Sequence, residues 1–196
     1  TKIPLTNTGR VRTYVRNNCY YSDTNHRKSN KGKYLRYRKI MTDLTLDPRT
    51  YIQLKTSFMG GFTHSNPSYT GMTLENVASI DLTSSYPSVM CAEKYPMSRP
   101  KKLDVKKFDD LKQYVNDYCI VMDIKLLGVK NILGYESYIS ESKCRSVINP
   151  TIQNGRIFEA DSLEITLTDI DINIISQVYT WSKIGFQNVY GFIKAY

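Results

Sequence analysis

Long apolar runs are missing from this sequence. No stretch approaches the roughly 20 residues that a membrane-spanning helix needs, and the first residues lack the basic-then-apolar order of a signal peptide. A membrane protein is therefore not expected, and cytoplasmic residence is the default. Cysteine is sparse as well. The four (Cys19, Cys91, Cys119, Cys144) lie far apart, with no CxxC pair and no Cys/His cluster, so neither a zinc site nor a disulfide framework is indicated and all four read as free thiols. Internal repeats and low-complexity tracts are also lacking. What remains is a 196-residue chain, 41% hydrophobic, long enough for one core of ordinary size or two small ones.

The charge is unevenly distributed. The net charge is +9, and residues 1–49 hold 12 Lys/Arg against three acids while the other 147 residues balance at 15 against 15. A surplus carried by Arg10, Arg12, Arg16, Arg27, Lys28, Lys31, Lys33, Arg36, Arg38 and Lys39 is the electrostatic footprint of a phosphate-backbone partner. A solvated basic tail has the same composition.

Periodicity predicts an α+β chain. A first helix can be capped by Asn7 or Thr8, with Val11 and Val15 on one face and Arg12 and Arg16 on another. Tyr20 to Lys33 reads as a mobile basic loop, and Leu35, Ile40, Met41 and Leu44 then mark a second helix from Tyr34. Asp47-Pro48 opens a third, which runs to about Phe58 and stops at Gly60-Gly61. Asn76 to Leu82 reads as a strand delivering Asp81 to a turn, with a helix starting near Ser84. Further on, a Lys/Asp-rich helix is expected at Asp104–Val115, strands at Ile120–Leu126, Phe158–Leu167 and Phe186–Ile193, and hairpins across 128–156, where Asn154-Gly155 is a turn signal. Thr168-Asp169-Ile170-Asp171 is a capping box, followed by an apolar helix face of Ile172, Ile175, Val178 and Tyr179.

An aspartate at a strand end, followed by a tight turn and Tyr-Pro, matches the demands of nucleotidyl transfer. Two divalent cations must bridge a primer hydroxyl and a triphosphate, and a strand end holds a carboxylate more rigidly than a loop does. Backbone amides at the start of the next helix favour phosphate oxygens. An aromatic ring just beyond can lie beneath the sugar, leaving room for hydrogen but not hydroxyl at C2′.

The run Asp81-Leu82-Thr83-Ser84-Ser85-Tyr86-Pro87-Ser88 resembles motif A of family B DNA polymerases, DxxSLYPS, with Ser85 in place of the usual Leu. Phe58-Met59-Gly60-Gly61, about 20 residues before Asp81, resembles the YxGG motif that joins exonuclease and polymerase domains, with Phe58 in place of Tyr. The upstream Ile3 to Arg12 run also resembles phage and plasmid members, which prime replication with a terminal protein. The resemblance implies a partial polymerase palm with an α+β insertion. Residues 1–57 would be a basic connector after an exonuclease domain, 58–96 the palm segment, 97–190 a terminal-protein-region insertion, and 191–196 the return toward palm or fingers. It implies that Asp81 is catalytic and binds magnesium with the Leu82 carbonyl, in a two-metal site whose second carboxylate lies elsewhere. Ser84, Ser85 and Tyr86 would bind the dNTP, Tyr86 as the gate against ribonucleotides and Ser84 also helping to seat the template-primer. Phe58, Gly60 and Gly61, with Arg10, Arg12, Arg16, Arg36 and Arg38, would contact DNA, and the terminal protein would be a further partner.

Other features read more plainly. The aspartates at 169 and 171 superficially resemble the DTDS motif of the second metal site, but the helix cap explains them better. His64 reads as a polar loop residue, Trp181 as packing, and most of the 16 tyrosines as half-buried sheet residues, with Tyr20 and Tyr21 as stacking candidates. No exonuclease DxE, KxxxNSxYG or DTDS hairpin is present. The chain is thus expected to be an excised segment, inactive alone. The rival reading is a non-catalytic module that grips DNA through its basic quarter and docks a partner through 97–190; a nuclease lacks the paired carboxylates it would need.

Overall fold

The computed structural model describes residues 7–20, 31–61, 67–134 and 136–195. Ile3 to Thr6, the centre of the basic loop with Tyr21, Arg27 and Lys28, and His64 lie outside the described residues. The chain forms two compact units, Thr1–Leu46 and Asp47–Tyr196.

The first unit contains α1 (Asn7–Tyr20) and α2 (Lys31–Asp43), which pack on each other. α2 opens three residues before the expected Tyr34. Two amphipathic helices cannot cover both apolar faces, and Val11, Val15, Leu35, Ile40 and Met41 all remain exposed.

The second unit is α+β, as expected. An antiparallel sheet runs in the order β1 (Tyr95–Pro96), β8 (Lys183–Ala195), β3 (Tyr118–Asn131), β6 (Arg156–Thr168), β4 (Cys144–Ile148). The short strands β2 (Lys101–Lys102), β5 (Thr151–Gln153) and β7 (Tyr179–Thr180) pair with β8, β6 and β3. The long strands outrun the predicted ones because polar residues at their ends continue the ladder. Pairing of Met122 with Leu167, Ile124 with Ile165 and Leu126 with Leu163 puts these side chains on one face. All six are essentially inaccessible to solvent, as are Ile172 and Ile175 of α5 (Asp169–Val178), in the same cluster. Asn154 and Gly155, both at positive φ, form the turn between β5 and β6. At Gly191 a Cβ would lie 2.8 Å from Leu103 Cδ1 and 2.9 Å from Tyr118 Cδ1, so a side chain does not fit.

The capping box is present: Asp171 N–H donates to Thr168 Oγ1, and Thr168 N–H donates to Asp171 Oδ2 at 2.9 Å. The same carboxylate accepts from Tyr138 Oη at 2.7 Å, tying the loop before β4 to α5. Tyr179 closes this loop from below. Its buried hydroxyl accepts from the backbone N–H groups of Tyr138 (2.9 Å) and Ile139 (3.2 Å) and donates to the Ile157 carbonyl (2.7 Å). Trp181 packs beside Phe108, their ring centroids 6.2 Å apart.

Two predicted elements are absent. Asn76–Leu82 forms no strand; it is irregular, with Asn76 at φ 58° and Ile80 91% exposed. Alternating apolar residues define what a strand would bury, but a strand needs a ladder partner, and among the described residues none pairs with it. Asp104–Val115 is not an α-helix; only a 3-10 turn at Phe108–Gln113 forms. Leu103 and Val105 are both buried, so the segment enters extended, with alternate residues on the core. Asp110 then accepts from the Lys106 and Lys107 N–H groups and fixes the tight turn.

Tyr179→Phe keeps the ring but removes the hydroxyl that accepts from the Tyr138 and Ile139 N–H groups and donates to the Ile157 carbonyl. It should lower unfolding free energy by roughly 2–3 kcal/mol in urea denaturation, with no change in far-UV circular dichroism.

Candidate functional site

The residues with chemical promise in the second unit follow from α3 (Pro48–Ser57). Asp47 caps it, accepting from Arg49 N–H at 3.0 Å and Thr50 N–H at 3.1 Å, and Pro48 fills the first helical position. The helix stops at Ser57, Phe58 is extended, and the chain through Gly61 has no regular secondary structure. Phe58 is exposed, whereas Met59 packs against the core cluster.

Asp81 and Leu82 are exposed and lead into a turn in which Ser85 N–H donates to the Leu82 carbonyl at 3.2 Å. Ser84 adopts the left-handed conformation (φ 53°, ψ 38°) and makes no side-chain cap to α4 (Ser85–Ala92). For a non-glycine residue that conformation costs on the order of 1 kcal/mol. Pro87 has no N–H and the Ser85 amide is already engaged, so Tyr86 supplies the helix-start amide without a partner among the described residues. The Tyr86 side chain is 78% exposed.

Gly61 and Tyr86 come together. A Cβ at Gly61 would lie 3.8 Å from Tyr86 Oη, so the bare glycine backbone and the tip of the motif's aromatic ring share one surface. Spacing alone did not reveal this proximity. Arg10, Arg12, Arg16, Arg36 and Arg38 belong to the first unit, and all five are exposed there.

The Asp81 carboxylate and the second lone pair of the Leu82 carbonyl are hard oxygen donors of the kind magnesium takes. They are only part of a coordination set. Among the described residues no three His, Cys, Asp or Glu side chains converge on a common point.

A second polar cluster lies on the sheet face opposite α5. Asp123, 4% exposed, accepts from Thr166 Oγ1 and Asn188 Nδ2, each at 2.7 Å, and pairs with Arg145 Nη1 at 3.0 Å. Asn188 (φ 47°) sits where β8 shifts register against β3, and Arg145 where β4 shifts against β6. Gln53 Nε2 of α3 donates to the Asn188 carbonyl at 2.8 Å. Burial alone would raise the Asp123 pKa, but the hydrogen bonds from Asn188, Thr166 and Arg145 and the Arg145 charge outweigh it and hold the carboxyl below its ordinary value. The one signal of this cluster in the sequence is the lone charge in Ile120-Val121-Met122-Asp123-Ile124.

Residues 17–184 match the family described as DNA polymerase type B, organellar and viral, and the chain belongs to that family. Solved structures share the fold, two of Phi29 DNA polymerase among them. Phi29 DNA polymerase complexed with primer-template DNA matches at a TM-score of 0.61 and 16% identity, over 86% of this chain and 29% of that one. The orthorhombic crystal form of Phi29 DNA polymerase matches at 0.55 and 16% identity, over 77% of this chain and 25% of that one. The chain thus spans less than a third of the length of either. No curated protein matches the sequence. Among the described residues, no helix is long and apolar enough to cross a membrane.

Because the folded-state pKa of Asp123 is depressed, its ionised form adds stability above the unfolded value of 3.8, and that contribution is lost as pH falls through the folded value. The difference in urea midpoint between the wild type and Asp123→Asn should therefore shrink as pH is lowered below about 4. A constant difference down to acid unfolding would contradict this linkage.

Proposed function

We propose that residues 58–96 are the motif A part of the palm of a DNA-directed DNA polymerase, which adds dNTPs to a primer hydroxyl during replication. The observation carrying this reading is the meeting of Gly61 with Tyr86 a few residues beyond Asp81, in a chain of the type B family. Asp81 and the Leu82 carbonyl would hold magnesium, with further ligands supplied from outside this chain. When bound, the two cations neutralise triphosphate charge and lower the pKa of the attacking hydroxyl. The unpartnered Tyr86 amide can receive a phosphate oxygen, with Ser84 and Ser85 beside it, while the Tyr86 ring beneath the sugar excludes a 2′-hydroxyl. Phe58, Gly60 and Gly61 offer a surface that a template strand can approach closely.

Around this segment, residues 1–57 act as a basic connector, 97–190 as the insertion that docks a terminal protein, and 191–196 as the return toward the palm. The DNA in one Phi29 polymerase structure supports DNA as a partner here. With one metal-binding aspartate, the 196-residue chain should not synthesise DNA by itself. Template-directed incorporation by the purified chain would overturn that.

In the longer polymerase, Asp81→Ala should abolish primer extension while DNA affinity stays within about twofold, since the residue contacts metal and not the phosphate backbone. Tyr86→Val should raise ribonucleotide incorporation relative to dNTP by at least about tenfold. Extension retained by Asp81→Ala would remove the central assignment.

The exposed arginines favour a second reading of this stretch by itself, as a non-catalytic DNA-binding and terminal-protein-docking module. DNA affinity should then fall steeply with salt. Changing Arg10, Arg12, Arg16, Arg36 and Arg38 to Gln should reduce the slope of log K against log salt by roughly four. A slope unchanged in the variant would dismiss these arginines as the DNA contacts.

A further inference from the structure

We infer that the cavity between α3 and the bulged strands is a binding site for a single phosphate group. It lies within the second unit, on the sheet face opposite α5, and has a volume of about 220 Å³. That is below the roughly 300 Å³ at which pockets for drug-sized ligands begin, so a whole nucleotide does not fit and a small anion does. Arg49, Arg145 and Tyr190 reach it from α3, β4 and β8.

The donor arrangement selects an anion. Arg145 is oriented by one contact, Nη1 to Asp123 Oδ2, and its remaining N–H groups have no partner among the described residues. The Arg49 guanidinium and the Tyr190 hydroxyl likewise have none. The single acid, Asp123, presents little free acceptor capacity: Thr166 donates to one of its oxygens, and Asn188 and Arg145 to the other. The residues lining the cavity carry two guanidinium groups, of Arg49 and Arg145, against one saturated carboxylate, a net charge of about +1. Donors arriving from three separate elements suit a tetrahedral anion, whose oxygens point in different directions, better than a planar carboxylate. Arg145 is preorganised because Asp123 is fixed by the register shifts around it, and so loses less freedom when the anion binds.

A backbone phosphodiester of a nucleic-acid strand and free inorganic phosphate offer the same oxygens. The assignment stands apart from the polymerase reading, since neither Asp81 nor Tyr86 lines the cavity. The test is a titration of the ¹⁵N-labelled 196-residue chain with inorganic phosphate and, separately, with a tetrathymidylate lacking terminal phosphates. The amide signals of Gln53, Thr166 and Asn188 and the Arg145 Nε–H signal are followed. Saturable shifts at these positions are expected with at least one ligand. A response to phosphate alone identifies a free-anion site, and a tighter response to the tetramer identifies a strand contact. Arg49→Gln should weaken binding at least about tenfold and Tyr190→Phe about threefold. These variants are preferred to Arg145→Gln, which would strip buried Asp123 of its charge partner and can unfold the sheet. Absence of shifts at these residues with both ligands, shifts confined to α1 and α2, or an Arg49→Gln affinity equal to that of the wild type overturns the proposal.

Discussion

One buried carboxylate sets the geometry of the second unit. Asp123 lies in the central strand, on the face away from the apolar core, where an unpaired charge would be prohibitively costly. The sheet meets this demand by breaking its own ladder twice, next to Asn188 and next to Arg145, so that both side chains reach the same oxygen. The Asn188 carbonyl then receives Gln53, and α3 lies on the sheet through Thr50, Gln53 and Ser57, its buried residues, all polar. Since α3 runs directly into Phe58–Gly61, the carboxylate indirectly fixes the start of the glycine pair that meets Tyr86.

The motif-bearing segment has the opposite character. Val77, Ile80, Leu82, Tyr86, Val89 and Met90 hold apolar surface in solvent, and no strand among the described residues pairs with the aspartate's approach. The turn is nonetheless defined by local means: a left-handed Ser84, an amide held by the Leu82 carbonyl and a proline that cannot donate. Local chemistry shapes the turn, whereas the rigidity of its flank has to come from long-range pairing.

Legibility in the sequence follows the same division. The Asp47-Pro48 start, the Thr168–Asp171 box and the Asn154-Gly155 turn were readable because each is closed by bonds between residues a few positions apart. The expected strand at Asn76–Leu82 failed because alternation cannot say whether a partner exists. The expected helix at Asp104–Val115 failed because Leu103 and Val105 follow the sheet's period of two before Asp110 tightens the chain. At the candidate site the residue types were legible in Asp81–Ser88, but the approach of Gly61 to Tyr86 and the gathering of Arg145, Thr166 and Asn188 on Asp123 depend on tertiary contacts.

The smallest strand has a wide consequence. Tyr95 and Pro96 pair with Ala195 and Lys194, and Met97 N–H donates to the Ile193 carbonyl, so the polypeptide leaves α4, builds the sheet and returns to its point of departure. Topologically the sheet is an excursion closed at its neck by a clasp. Loops inside such an excursion can lengthen, shorten or acquire new surfaces without shifting the neck, which leaves α4 and its turn insulated from change in the sheet's outer hairpins.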